Sequence, residues 1–211
     1  MKRSIILVVV TVLVLSGCER VFTTSPLGFL QRNPDSYSDA QKLTFAEDAL
    51  ASGDEAAMAA AFELLADSAD PETQLLAVEL ALGAAGVASV LTTAIAGLSA
   101  EDADLDAVIG DALDGFTDAD LALLVSAAEL LDQADDSVTP TAEQYAFAAI
   151  GLIAAAADDA GGVENILSPE VGSDAEAYVE QAGDFLDEAA ALLAAEGGST
   201  DILDGFTGLI P

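Results

Sequence analysis

The sequence predicts an all-α protein, and three observations carry that expectation. A Ser or Thr stands three residues ahead of an acid or amide at Ser38/Gln41, Ser52/Glu55, Ser99/Asp102, Thr117/Asp120 and Ser173/Glu176, a spacing that lets each side chain satisfy the other's backbone amide at a helix start. Asp70-Pro71 and Thr139-Pro140 add two starts in which a capping residue precedes a proline at the first helical position. Between these starts apolar residues recur at helical spacing, as in Leu121, Leu124, Val125, Ala128 and Leu131, and no run alternates β-branched with polar residues.

The chain divides into three parts. Residues 1–17 have the order of an export signal: Lys2 and Arg3 supply positive charge, and Ile5 to Leu15 is apolar except for Thr11. As a helix those eleven residues reach roughly 16 Å, short of the ~30 Å hydrocarbon core, so the segment is read as a signal rather than a spanning anchor. Residues 18–38 carry two prolines and a glycine and read as a tether, with Phe22, Leu27, Phe29 and Leu30 among its apolar residues. Residues 39–211 are the helical domain. Within it Leu80–Ala100 has no charge over 21 residues and Tyr145–Ala157 none over 13. The longer stretch has the length of a membrane span, but its glycines, Ser89, Thr92, Thr93 and Ser99, and its acidic flanks favour two central helices meeting near Gly86, both buried by their neighbours.

An internal echo suggests how the helices are organised. "DALDGFTDADLALL" at 111–124 returns as "DILDGFTGLI" at 201–210, and the stretch from Pro71 returns more loosely from Pro140. Two related multi-helix units, about 39–116 and 117–211, are expected to stack and share a core. Phe116 and Phe206, each following a glycine in the echo, are expected to close a helix against that core.

Two stretches resemble known families. Leu15-Ser16-Gly17-Cys18, at the end of the apolar run, resembles the lipobox of bacterial lipoproteins. The resemblance implies that Leu15, Ser16 and Gly17 are read by signal peptidase II, that Cys18 receives a diacylglycerol, and that the freed amine is acylated. Cys18 is the only cysteine, so a thioether there also disposes of an otherwise exposed thiol without a disulfide partner. Two or three acyl chains hold a protein on a membrane firmly without crossing it. By the same resemblance Glu19, standing where an aspartate favours inner-membrane retention, points to the periplasmic face of the outer membrane. The stretch "ALASGDEAAMAAAFELLADSADP" resembles a tetratricopeptide repeat in its Gly-Asp turn, its small Ala59 and Ala66 and its closing Pro71. It departs in having no Trp or Tyr in the first helix and in the register of Phe62. The resemblance implies stacked helical hairpins, an α-solenoid-like array.

Charge excludes some partners. The chain has 5 basic and 38 acidic residues, no histidine and a formal charge of −33, and from Leu43 to Pro211 there is no Lys, Arg or His. Such a surface repels nucleic acid and anionic headgroups, so no nucleic acid is expected as a partner and the membrane is reached through the lipid alone. Apolar residues make up 53% of the chain, enough to build a packed core with the acids outside it. A carboxylate shell without counter-charge is read as adaptation to a salty exterior, with selective cation binding as the rival.

Catalysis is not expected, and neither is a cofactor. Without histidine, and with Cys18 acylated, a Ser or Thr nucleophile lacks its usual base and a His/Cys metal site cannot be assembled. Asp102, Asp104 and Asp106 have the opening spacing of a calcium loop, but Ala107 and Leu113 occupy the positions that need Gly and Glu. Those acids are read as the first turn of a helix, and Asp135-Asp136 and Asp158-Asp159 as loop acids. The function expected is a membrane-anchored, non-enzymatic scaffold that binds another protein. The alternatives are a ligand-binding accessory of a solute transporter and an acidic structural lipoprotein of the envelope.

Overall fold

The computed structural model describes residues 37–98 and 115–200, apart from 135–136, together with 110, 113, 203 and 207. The described residues from Ser38 onward form a compact all-helical unit. Seven α-helices are described: α1 (Asp39–Ser52), α2 (Glu55–Leu65), α3 (Pro71–Ala84), α4 (Val87–Leu98), α5 (Asp118–Asp132), α6 (Ala142–Ala160) and α7 (Asp174–Glu196). A short 3-10 turn, Val163–Asn165, lies between α6 and α7. No described residue lies in a strand.

The caps explain where the helices begin. At α1, Gln41 Oε1 accepts from the Ser38 backbone N–H at 3.1 Å. At α5, the Asp120 carboxylate accepts from the Thr117 N–H at 2.9 Å while the Thr117 hydroxyl oxygen accepts from the Asp120 N–H at 3.3 Å. Asp70 accepts from the Thr73 N–H at 3.0 Å and the Thr73 hydroxyl at 2.6 Å, with Pro71 at the first helical position. Those donors, the hydroxyl first and the amide second, hold the Asp70 carboxyl below its usual value. Ser173 caps α7 by accepting from the Glu176 N–H at 3.2 Å.

Two starts differ from the sequence expectation. Asp54, not Ser52, caps α2, accepting from the Ala57 N–H at 3.0 Å. Ser52 still belongs to α1 and donates to the Ala49 carbonyl at 2.8 Å. Gly53 adopts φ 65°, the left-handed conformation that closes α1 and turns the chain into α2. Likewise α6 starts at Thr141, whose reciprocal partner is Gln144, rather than at Thr139. Thr141 offers the same hydroxyl plus a correctly spaced amide, so the reciprocal cap outcompetes the proline start. The predicted Ser99/Asp102 start lies outside the described residues.

Packing follows chain order. α1 packs on α2, α2 on α3, α3 on α5, α5 on α6, and α6 most extensively on α7, while α3 also touches α1, α4 and α6. The core is apolar throughout, since no described polar or charged residue is buried. Ala61, Ala77, Val78, Leu80, Ala81, Leu124, Ala127, Ala128, Leu152 and Ile153 are fully buried. The alanines bring helix axes close together. At Gly151 of α6 the approach leaves no room for a side chain, for a Cβ there would lie 2.7 Å from Leu124 Cβ of α5. α6 is buried continuously from Ala148 to Ala157, which accounts for the uncharged run in that part of the sequence.

The other uncharged run behaves differently. Its first limb, the end of α3, is buried as expected, and the chain bends by 45° at Gly86, which adopts φ 68°. In the second limb, α4, Val87 is buried and Val90 and Leu91 pack on the core, but Ala88, Ser89, Thr92 and Thr93 are exposed. Among the described residues α4 packs mainly on α3 and α6, and sparsely; its Ser/Thr side is outside and satisfies Thr92 and Thr93 through the Ala88 and Ser89 carbonyls at 2.7 and 3.0 Å. No single described helix is long and apolar enough to cross a membrane.

Candidate functional site

The residues expected to carry the anchor, Leu15, Ser16, Gly17 and Cys18, lie outside the described residues, as do Asp102, Asp104, Asp106, Asp135, Asp136 and Phe206. Among those that are described, Phe116 is buried beside Leu113, and Leu203, the counterpart of Leu113 in the sequence echo, is buried to the same degree. Asp158 and Asp159 are not loop acids but the last turn of α6. An acid at that end opposes the helix dipole, and the fold offsets it by aiming Asp159 at α7, where its carboxylate accepts from the Ala175 N–H at 3.1 Å.

Four clefts are among those that open on the described surface. One of about 360 Å³ lies between α1, α3 and α6, with Leu50, Leu82, Gly83 and Phe147 as its apolar lining and Glu79 and Glu143 as its acids. A second, about 510 Å³, surrounds Lys42, which donates to the Leu64 carbonyl at 3.3 Å and shares the cleft with Asp39, Asp67 and Asp70.

The remaining two are built from the same three helices. α5 and α7 both flank α6, and a cleft opens at each end of it. At the N-terminal end of α6 about 490 Å³ is lined by Leu131, Val138, Pro140, Tyr145 and Phe185, with the carboxylates of Asp132, Asp184, Asp187 and Glu188. The Tyr145 and Phe185 rings are tilted by 57° with centroids 5.5 Å apart, a favourable aromatic arrangement. At the C-terminal end about 360 Å³ is lined by Leu121, Val125, Ala155 and Tyr178, with Asp158, Asp159 and Asp174. Tyr145 and Asp159 fall on one face of α6, fourteen residues or nearly four turns apart, a rise of roughly 21 Å.

Electrostatics mark both tyrosines. Burial, then Glu188 and Asp132, push the Tyr145 phenol above its ordinary value; burial, then Asp174, Asp159 and Glu129, do the same for Tyr178. A phenol raised in this way stays neutral at physiological pH and remains a hydrogen-bond donor among acceptors. Asp184, Asp187 and Glu188 share one side of α7 at i, i+3 and i+4 and repel one another, with no basic residue from 43 onward to balance them.

Sequence reading did not single out these tyrosines. The chain has only three, and the carboxylates that surround Tyr145 come from positions 13 residues before it and about 40 after it. Helical phase places Tyr145 at the start of an apolar run, but only the antiparallel packing of α5, α6 and α7 brings the acids to it. Among the described residues no group of three or more metal-ligating side chains comes together, and no buried polar side-chain atom lacks a partner. Comparison with protein-family models, with curated proteins and with solved structures finds no match to this chain.

Proposed function

We propose that this protein is a lipoprotein, anchored through Cys18 at the periplasmic face of the outer membrane, whose helical domain is a non-enzymatic scaffold for another protein. The anchor rests on Leu15-Ser16-Gly17-Cys18 at the end of an eleven-residue apolar run that is too short to span. The scaffold reading is carried by one geometric observation: α5, α6 and α7 form open clefts that combine apolar floors with rows of carboxylates, while the chain lacks histidine altogether. An apolar floor rimmed by carboxylates is complementary to an apolar, basic segment of another protein.

The finer architecture belongs to the same proposal. Packing in chain order, together with the matching burial of Leu113 and Leu203, supports two related units stacked as helical hairpins in a solenoid-like array. The carboxylate shell suits it to a salty exterior.

Cell fractionation tests the anchor. Full-length protein is expected in the membrane fraction, released by detergent but not by salt, and Cys18→Ala is expected to leave the membrane while keeping the helical circular dichroism of the parent. Membrane retention of folded Cys18→Ala would remove the anchoring role from this residue.

A further inference from the structure

We infer that the cleft at the N-terminal end of α6 seats an arginine side chain from a basic segment of the partner protein. This deepens the scaffold reading and rests on it. The cleft joins an aromatic pair to its acids: the half-buried Tyr145 ring lies 5.5 Å from the buried Phe185 ring, framed by Leu131, Val138 and Pro140. Around that pair stand carboxylates from two separate helices, Asp132 at the end of α5 and Asp184, Asp187 and Glu188 on α7. Like charges from different elements converge on a concave surface, and among the described residues no cation is supplied to them, because Lys42 serves another cleft and no basic residue follows it.

Charge complementarity therefore calls for a cation, and the aromatic pair decides which kind. A metal ion would leave the rings unused. A guanidinium is planar, weakly hydrated, stacks on an aromatic face and presents a fork of N–H donors to flanking carboxylates. Lysine offers a compact, strongly hydrated charge that uses the acids but gains less from the rings. The apolar frame accommodates the methylene stem and an adjoining apolar residue of the segment.

The probe is acetyl-Leu-Arg-Leu-amide, with lysine and citrulline counterparts, titrated calorimetrically into the detergent-solubilised, acylated full-length protein. Salt is set at about 1 M KCl, where the screening length of ~3 Å suppresses attraction by the shell as a whole. The arginine peptide is expected to bind with the lysine peptide weaker and the neutral citrulline peptide silent. Tyr145→Leu, and separately the combined Asp184→Asn, Asp187→Asn and Glu188→Gln variant, are expected to weaken arginine binding by about tenfold. The control, Glu47→Gln with Glu63→Gln, is expected to bind as the parent does. Circular dichroism of each variant separates lost binding from lost folding. Equal loss in the control, equal binding of citrulline, or no binding of the arginine peptide to folded parent would overturn the inference. The scaffold reading would then still stand or fall on whether a partner protein is joined to the domain in cells.

Discussion

Gly151→Val is expected to lower the unfolding free energy by about 3 kcal/mol, the upper part of the usual range for overpacking. A Cβ at this position meets Leu124 Cβ at 2.7 Å and both Leu124 methyl carbons at 3.0 and 3.1 Å. Leu124 is fully excluded from water and its Cβ is fixed to the α5 backbone, so relief requires α5 and α6 to move apart. That separation would open the alanine-lined contact along both helices. Gly83→Ala is the instructive counterpart. A Cβ there would lie 2.8 Å from Met58 Sδ, near the end of an unbranched thioether side chain that can swing aside. Alanine is the better helix former by about 1 kcal/mol, so Gly83→Ala is expected to be neutral within that amount. Urea denaturation of both variants checks the pair. Equal tolerance would mean that α5 and α6 do not approach so closely.

Salt removal is expected to have the second large effect. The chain carries a formal charge of −33, and no described acid is buried or paired within the core. At about 0.01 M salt the screening length is ~30 Å, comparable with the length of α7, so carboxylates across the domain repel one another; at about 1 M it is ~3 Å and they do not. The thermal midpoint is expected to rise by about 10 °C between those conditions, equivalent to roughly 3 kcal/mol for a domain of this size. Sodium and potassium should act alike, since screening does not distinguish them.

Acidification from pH 7 towards the isoelectric value near 4.1 should raise the midpoint at low salt by neutralising the same shell. Asp70 works in the opposite direction and at lower pH. Its carboxyl is held below the ordinary value of 3.8, so its stabilising contribution is present above that value and is lost as the pH falls through its folded value. The gain on acidification therefore precedes the loss of this cap. A midpoint that ignores salt, or that responds to micromolar calcium, would contradict shell repulsion and favour a selective cation site.

Much of the helical framework was legible in the residues because capping is local chemistry. Ser38/Gln41, Asp70-Pro71 and Thr117/Asp120 needed only a hydroxyl or carboxylate at fixed spacing, and the structure uses each of them. Errors arose where two local solutions competed. Ser52 and Asp54 both offer an acceptor near the α2 start, and Gly53 decides between them by ending α1 first. Thr139 and Thr141 flank Pro140, and the amide of Gln144 decides there. The uncharged stretch 80–100 reads as uniformly buried because composition does not reveal how many neighbours a helix has; among the described residues α4 packs sparsely, mainly on α3 and α6. The Tyr145 cleft was not legible for a related reason. Asp132, Tyr145 and Glu188 are remote in sequence, and no rule of spacing links them.

The most direct test of the scaffold account uses the chain's own chemistry. Zero-length carbodiimide coupling joins carboxylates to amines, and under the proposed cleavage before Cys18 this protein offers 38 acids but only Lys42 as a side-chain amine. Coupling in intact cells, followed by detergent extraction of the acylated protein and mass spectrometry of the adducts, therefore reports on partners with little interference from the chain itself. The account predicts one stoichiometric partner protein joined through its lysines to carboxylates of the helical domain, and loss of that adduct in Cys18→Ala. Adducts confined to Lys42 of a second copy, with no other protein in stoichiometric amount, would contradict it.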